Sequence, residues 1–466
     1  MYAYVTKTTN RDGCKQHFYN MKKAWLLIFS TLFFACACER PQLTCNFSAT
    51  DISALEDEHL VLAGFAARQG LSDGIHIPLK SSCLVISDGT QKVCLVSNDL
   101  MEISPALAGE LRDSISARSG LARENILLHS IHTHSAPRMG GVSTNPGGPN
   151  VAYRERTFNA IVENTVKTIL DDAAYQPFRL EIAKGKAAIN YNRCEKETGP
   201  VDPDLYAARF IVKGKPLCAL YNIACHPVAM GHKSLLLSSD YSGVARSAVE
   251  PVWGCPIFQL TGAAGNMDPK GGCQLVDHAE EIGAELAEAL KGLKFKRVKE
   301  QNLLKIATGK AELPYLIDEV TPEAVKAHAD ALVSENTNFP RFANDVRGWE
   351  AEILERFKTG EVKNRLDFNM TALNLDGILF FFTQGEPFCE YQMATRAAFP
   401  ESTVFFAGYT NGQNSYLPSA HAYEYRKGYE YEIEQMHVYI KAPYPLSHEM
   451  PEAYQAAILN TLNEVK

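Results

Sequence analysis

The sequence predicts one large α/β domain in which mixed β-sheets are flanked by helices. Apolar runs of four to seven residues, typical of buried strands, alternate along the chain with longer segments of helical periodicity. No low-complexity linker, internal repeat or break in composition interrupts this alternation. Alternating strands and helices favour a single α/β domain over a series of small modules.

The composition is that of an ordinary globular protein. Of the 466 residues, 46% are hydrophobic and 21% are charged, which excludes a disordered, collagen-like or coiled-coil chain. The formal net charge is −8, so no basic excess is available to pair with phosphates, and we expect no nucleic-acid partner. Twelve cysteines are too few for a disulfide scaffold in a chain of this length, whose core can form without them.

The N-terminal segment has the pattern of an export signal. A basic start at Met21 is followed by an apolar stretch, Ala24 to Ala35, that is too short to span a bilayer as a helix. Cys36 and Cys38 each follow an alanine, as in a bacterial lipoprotein signal. We therefore predict a leader over 1–37, translation from Met21, and a lipid anchor at Cys36 or Cys38 as the only membrane contact. The expected location is the periplasm or the outer-membrane surface. A buried N-terminal helix is the alternative.

The elements that follow are predicted from periodicity. A helix is expected over 103–119, where Ser104 and Pro105 suit its cap and first turn. Strands are predicted at 60–66, 83–87, 92–97, 126–131, 178–184, 207–213, 217–224, 378–383 and 403–407. The other helices are predicted at 152–174, 275–294, 321–357 and 450–465.

Histidines mark the first candidate site. The strand predicted at 126–131 runs into His132-Thr133-His134. Residues i and i+2 of a strand share a face, so both imidazoles would project together at the strand end, where they suit a metal ion. A solvated or core-bonded pair is the alternative. His129 lies three residues before His132, on the opposite face, and is expected in the core.

Three further predicted strands end in residues that can bind a metal. His226 ends the strand LYNIAC, Glu386 follows ILFFFTQG, and Tyr416 lies in the loop after TVFFA. Loops at strand ends are where α/β enzymes build their sites.

These motifs, in this order, resemble the N-terminal catalytic domain of the neutral/alkaline ceramidase family. The resemblance extends over roughly residues 57–445. It rests on the segments IHTHSAP (131–137), Cys225-His226-Pro227, Ser239-Asp240-Tyr241-Ser242-Gly243, Gln384-Gly385-Glu386, and the Asn- and Tyr-rich stretch 411–430.

The resemblance implies a zinc amidohydrolase of the neutral ceramidase fold type. By motif, His132, His226, Glu386 and Tyr416 would hold the metal, and Tyr416 would also stabilise an oxyanion. His134 would bond the attacking water or the substrate and pass a proton to the leaving amine. Arg193 would contact the polar end of the substrate, and Tyr429 would be a further tyrosine of the site.

Two departures from the family pattern shape the prediction. Where the family has a serine proposed as nucleophile, the stretch Gly262–Pro269 has none. A metal-activated water is therefore expected instead of an acyl-enzyme, with Asn266 and Asp268 in a tight turn near the metal. The family's C-terminal β-sandwich also has no counterpart, so 38–466 is expected to form the catalytic domain alone.

The function predicted is that of an exported zinc hydrolase that cleaves the amide bond of a lipid-like or other small N-acyl substrate, as in sphingolipid metabolism. One alternative keeps the metal but changes the substrate to an ester or a small carbohydrate-derived molecule. Another is a non-catalytic binding lipoprotein at the cell surface.

Overall fold

The computed structural model describes residues 42–139, 150–336, 340–413 and 415–466. The predicted leader 1–37, with Met21, Cys36 and Cys38, lies outside these residues. Residues Gln42–Lys466 form one compact unit. Within the described part of the chain, no helix is both long and apolar enough to cross a membrane.

The larger sheet is mixed. Its strands run in the order β4-β3-β2-β1-β5-β7-β8-β9, and β11 pairs with β5. The pairs β3–β4 and β8–β9 are parallel and the other neighbours are antiparallel. The strands are β1 (Thr44–Asp51), β2 (Lys80–Ser87), β3 (Lys92–Asn98), β4 (Ile126–Ser130), β5 (Gln176–Lys186), β7 (Asp204–Val212), β8 (Lys215–Ile223), β9 (Ile257–Thr261) and β11 (Lys296–Arg297).

A second sheet has the order β12-β13-β14-β16, with β14 and β16 parallel. Its strands are β12 (Leu304–Pro314), β13 (Arg365–Leu375), β14 (Ile378–Thr383) and β16 (Thr403–Ala407). Two short ladders join the loops beyond these sheets: β6 (Asn190–Asn192) with β10 (Met267–Pro269), and β15 (Glu386–Pro387) with β17 (Tyr416–Leu417).

The two sheets pack face to face between layers of helices. Phe210 and Phe258 of the larger sheet and Phe380, Phe382 and Phe405 of the smaller one share a single core. Helices cover the outer face of each sheet. They are α1 (Pro105–Ser119), α2 (Val151–Leu170), α3 (Asp240–Trp253), α4 (Val276–Gly292), α5 (Pro322–Glu335), α6 (Pro340–Thr359), α7 (Cys389–Ala398), α8 (Ala420–Tyr425), α9 (Met436–Ile440) and α10 (Met450–Val465), and a π-helical turn (Tyr431–Gln435) precedes α9. Strands buried on both faces explain why the sequence shows continuous apolar runs.

Most predicted elements are present, with two corrections. The strand predicted at 60–66 is wrong: Leu62 makes one isolated bridge to Pro137, and positive φ angles at Gly64 and Phe65 turn the chain away from extended structure. The helix predicted at 321–357 is two helices, α5 and α6. The cap predicted at Ser104 is confirmed, because its side chain accepts a hydrogen bond from the Leu107 amide.

Candidate metal centre and its cavity

Four strand ends converge at one edge of the two-sheet core. His132 follows β4, His226 follows β8, Glu386 follows β14, and Tyr416 follows β16. Glu386 and Tyr416 are direct partners in the two-residue ladder β15–β17, so the loops that carry them are fixed to each other. The loops of two separate sheets thus meet at a single place, as the prediction from strand ends required.

His132, His226 and Glu386 form a compact, fully buried cluster. Glu386 Oε2 lies 2.9 Å from His226 Nε2 and 3.4 Å from His132 Nε2. One ligand atom from each residue lies within 4.8 Å of the other two, which is the spacing that a single metal ion requires. In the described part of the chain, no other group of three such residues has this property.

The backbone fixes the tautomer of both histidines. His132 Nδ1 lies 2.7 Å from the Met101 carbonyl oxygen, and His226 Nδ1 lies 3.2 Å from that of Met267. A carbonyl only accepts, so each Nδ1 carries the proton and each Nε2 directs its lone pair into the cluster. Outer partners of this kind orient histidine ligands in metal sites.

The charges of the cluster also suit a cation. Burial lowers the pKa of His132 to about 4, so its ring is neutral at pH 7. Burial alone would raise the pKa of Glu386, but the facing histidines His132 and His226 outweigh it, and the net shift is downward. Two imidazoles and one carboxylate are a donor set that binds Zn²⁺. The residues present therefore fit the metal implied by the sequence.

His132 does not lie on a strand, contrary to the prediction. Strand β4 ends at Ser130, and His132 has a φ of 75°, a conformation rarely adopted by residues other than glycine. This turn, and not strand alternation, brings the two imidazoles together, with His134 Nε2 3.3 Å from His132 Nε2. Backbone strain of this kind is concentrated at functional sites.

Two side chains that contact Glu386 were not identified from the sequence. Gln413 Nε2 donates a hydrogen bond to Glu386 Oε1. Tyr409 Oη donates to Glu386 Oε2 at 3.4 Å, and its ring centroid lies 4.5 Å from that of His132. Both residues lie in the loop between β16 and Tyr416. The polar sequence AGYTNGQNSY, directly after a buried strand, was the available signal.

Arg193 and Tyr416 lie beside the cluster. The guanidinium carbon of Arg193 is 5.3 Å from the Tyr416 ring centroid. Arg193 Nη2 donates hydrogen bonds to the Gly265 carbonyl at 2.9 Å and to Glu432 Oε1 at 3.0 Å. Burial raises the pKa of Tyr416, and the positive charge of Arg193 partly opposes that shift. Arg193 is therefore a cation held beside the proposed oxyanion donor.

The structure places Tyr429 away from the residues that line the cavity. It is buried in the core, where it packs against Phe388 and accepts a 3.3 Å hydrogen bond from Asn192 Nδ2. Tyr431, two residues later, lines the cavity. His129 lies in the core, as predicted: its Nδ1 is 3.1 Å from the Gly408 carbonyl, and its Nε2 accepts from the Thr261 amide.

A cavity of about 310 Å³ opens onto the cluster. His134 and Arg193 line it together with the three clustered residues and Tyr416. The remaining lining residues are Gly64, Phe65, Ala66, Met101, Val228, Asp268, Cys273, Gln413, Tyr431, Met436 and Tyr439. The lining is thus polar at the cluster and carries aromatic and methionine side chains elsewhere.

The chain is similar to neutral ceramidases. Residues 48–254 match the family described as neutral/alkaline non-lysosomal ceramidase, N-terminal. The neutral ceramidase of Pseudomonas aeruginosa is 27% identical over 205 residues, an alignment that covers 40% of this chain and 30% of that protein. The resemblance inferred from the motifs is confirmed. The matched range contains His132 and His226, whereas Glu386 and Tyr416 lie beyond it.

Solved structures extend the similarity to the fold of nearly the whole chain. The crystal structure of neutral ceramidase from Pseudomonas aeruginosa matches with a TM-score of 0.65 at 19% identity, over 90% of this chain and 74% of that one. A ceramidase complexed with C2 matches with a TM-score of 0.62 at 18% identity, over 90% of this chain and 75% of that one. The predicted α/β fold of the ceramidase type is confirmed.

Proposed function

We propose that the protein is a zinc-dependent hydrolase that cleaves the amide bond of an N-acyl substrate with a metal-activated water. The observation that supports this most is the pair of imidazoles whose Nδ1 protons are held by the Met101 and Met267 carbonyls while their Nε2 atoms face Glu386. Similarity to the neutral ceramidases supports the choice of an amide bond.

His132, His226 and Glu386 would hold the ion, with Tyr416 beside them. When bound, Zn²⁺ lowers the pKa of a coordinated water towards neutrality and polarises the scissile carbonyl. The protein contributes ligands that need no reorganisation, because the backbone fixes both rings and Gln413 fixes the second oxygen of Glu386.

His134 is the residue best placed to move protons. It lines the cavity next to His132, and its Nδ1 has no hydrogen-bond partner among the described residues. Burial, together with the neighbouring histidines, lowers the pKa of His134 well below its usual value, so the ring is a neutral acceptor at pH 7. It would accept a proton from the attacking water and return it to the leaving amine.

Arg193 and Tyr416 would stabilise the negative charge that develops on the carbonyl oxygen. The Arg193 guanidinium is held beside Tyr416 by Gly265 and Glu432, so its position is set before substrate binds. Preorganised donors of this kind act most strongly in a site that excludes water.

Assays with defined substrates test the proposal. Purified protein, with and without zinc after chelation, would be given N-acylsphingosine, simple N-acyl amides and the matching esters. We expect zinc-dependent release of fatty acid from an amide, and its loss in His132→Ala but not in His448→Ala, a change at an exposed histidine. Hydrolysis of esters alone would overturn the choice of bond, and turnover that survives full chelation would overturn the metal mechanism.

We also propose that the chain is exported and lipid-anchored at Cys36 or Cys38. The support is the basic and apolar pattern that precedes these cysteines. Metabolic labelling with a radioactive fatty acid in bacteria that express the protein tests this. Label should be lost only when the anchoring cysteine is replaced by serine, and an unlabelled wild-type protein would refute it.

A further inference from the structure

His134 lacks the hydrogen bond that orients the two histidines of the cluster. His132 and His226 each donate from Nδ1 to a backbone carbonyl, whereas His134 Nδ1 is buried and has no partner among the described residues. His134 Nε2 lies 3.3 Å from His132 Nε2, whose lone pair a bound metal ion would take. The orientation of the His134 ring must therefore come from its backbone and from the side chains around it.

Arg68 holds the backbone of His134. Arg68 Nη1 carries two hydrogens, and it donates to the His134 carbonyl at 2.6 Å and to the Ala63 carbonyl at 2.7 Å. Nη2 of the same guanidinium lies 3.4 Å from the Gly231 carbonyl. On its other side, the His134 amide donates to the Pro227 carbonyl at 3.3 Å. The bond from Arg68 is thus the shorter of the two that hold this part of the backbone.

The same guanidinium fixes the loop against which the His134 ring packs. Ala63 leads into Gly64 and Phe65, which turn the chain with positive φ angles. The Phe65 ring meets the His134 ring edge-on, with the two centroids 4.9 Å apart. The guanidinium carbon of Arg68 lies 5.0 Å from the centroid of that Phe65 ring. Arg68 therefore contacts both the backbone of His134 and the aromatic side chain beside its imidazole.

Arg68 is a buried cation whose donors go to carbonyls instead of carboxylates. The residue is 2% exposed, and burial lowers its pKa only to about 10, so the guanidinium is charged at pH 7. The charge of Asp240 favours this form, but the Asp240 carboxylate itself accepts from backbone amides. Hydrogen bonds from a charged donor are roughly twice as strong as those between neutral groups. The charge thus strengthens the attachment of the His134 carbonyl.

We propose that Arg68 is a positioning residue, which holds His134 beside the metal cluster through the His134 carbonyl and the Phe65 ring. This inference rests on the proposed amide hydrolysis, in which His134 moves the proton. It adds a residue that does not touch the substrate and acts only through another side chain.

Substitutions of Arg68 in the zinc-loaded protein test the proposal, with N-hexanoylsphingosine as the substrate. Arg68→Met keeps the apolar stem but removes the donors, and kcat should fall roughly 100-fold while KM and zinc content stay unchanged. Arg68→Lys keeps one charged donor and should lose less. The matched control is Arg209→Met, since Arg209 packs on the rings of Trp253 and Phe295 and does not line the cavity. Its kcat should equal that of the wild type.

A double-mutant cycle assigns the loss to His134. In a His134→Ala background, Arg68→Met should lower kcat little further, because the side chain that it positions is already absent. A merely structural role of Arg68 would lower kcat by the same factor in both backgrounds. Crystal structures of the zinc-loaded wild type and Arg68→Met show the ring itself, and the His134 imidazole should be displaced in the variant.

The outcomes distinguish this inference from the proposed function. If the wild type does not hydrolyse the amide but the His134 ring is displaced in Arg68→Met, the positioning role stands and the proposed function fails. An undisplaced ring overturns the inference. So does a kcat that is unchanged in Arg68→Met, falls equally in the His134→Ala background, or falls together with the zinc content. If Arg68→Met does not fold, the same comparisons are made with Arg68→Lys, where a smaller loss with the same dependence on His134 is expected.

Discussion

Gly64 allows His134 to reach its position beside the cluster, and an alanine there should impair catalysis without removing the metal. A Cβ built on Gly64 would lie 2.2 Å from His134 Nδ1 and 2.5 Å from its Cγ, where ordinary contacts begin at 3.4 Å. The ring must therefore move by about 1 Å in Gly64→Ala. A displacement of that size in a catalytic group can cost roughly 100-fold in rate.

Replacing Gly64 also strains the backbone, and a second glycine with a similar φ angle serves as the control for that effect. Gly64 has a φ of 68°, so alanine also costs about 1–2 kcal/mol in conformational energy. Gly120 has a φ of 74°, and no atom lies within 4 Å of the Cβ built there. Gly120→Ala thus has the same backbone cost without the contact to His134.

The assay compares the two variants in kcat/KM, zinc content and urea unfolding. Gly64→Ala should lose roughly 100-fold in kcat/KM relative to Gly120→Ala and keep its zinc, because the three atoms nearest to its Cβ all belong to His134. Equal kcat/KM in the two variants would refute the role given to His134. Loss of zinc from Gly64→Ala alone would show that His134 is itself needed to hold the metal.

Three further predictions concern groups around the site and in the core. Gln413→Ala removes the donor to Glu386 Oε1 and should weaken zinc binding by about 10- to 100-fold in a competition titration, whereas Gln455→Ala should not. Asp99→Ala removes the carboxylate that lies 2.7 Å from the buried Arg246, and it should lower the free energy of unfolding in urea by about 3–5 kcal/mol. Glu288→Ala, which breaks an exposed ion pair with Lys291, should lower it by less than about 1 kcal/mol. Burial lowers the pKa of His129 from 6.5 to about 3. As the pH falls from 6.5 towards 3, the unfolded chain therefore binds a proton that the folded chain does not, and the free energy of unfolding decreases. In metal-free protein, His129→Gln should reduce the slope of the unfolding free energy against pH by up to about 1.4 kcal/mol per pH unit, and His448→Gln should not. An unchanged slope in His129→Gln, an unchanged zinc affinity in Gln413→Ala or an unchanged unfolding free energy in Asp99→Ala would contradict the corresponding prediction.

The sequence predicted helices and buried strands best where an apolar run or an amphipathic repeat was not interrupted by polar residues, glycine or proline. Strands such as β14 and β16 are apolar throughout because both faces are buried, and α4 shows a clear amphipathic repeat. Strand β1 was missed because its sequence TCNFSATD is largely polar. Helix α3 was missed because Gly243 and Pro251 lie within it.

The sequence predicted which residues form the candidate site better than it predicted how the backbone arranges them. Strand ends followed by His226, Glu386 and Tyr416 indicated a shared edge, and the structure brings these residues together. The left-handed turn at His132 could not be predicted, because local sequence favours an extended histidine there and tertiary contacts override it. Tyr429 was assigned to the site from the motif alone, and its ring packs against Phe388 in the structure.

Anomalous diffraction at the zinc edge, from crystals of the zinc-loaded protein, tests the central claim most directly. The geometry of the cluster predicts one peak per chain, about 2.0–2.2 Å from His132 Nε2, His226 Nε2 and a Glu386 carboxylate oxygen. The peak should vanish in His132→Ala with the fold intact. A zinc bound elsewhere, or no peak in fully zinc-equilibrated crystals, would contradict the assignment of these three residues as a metal centre.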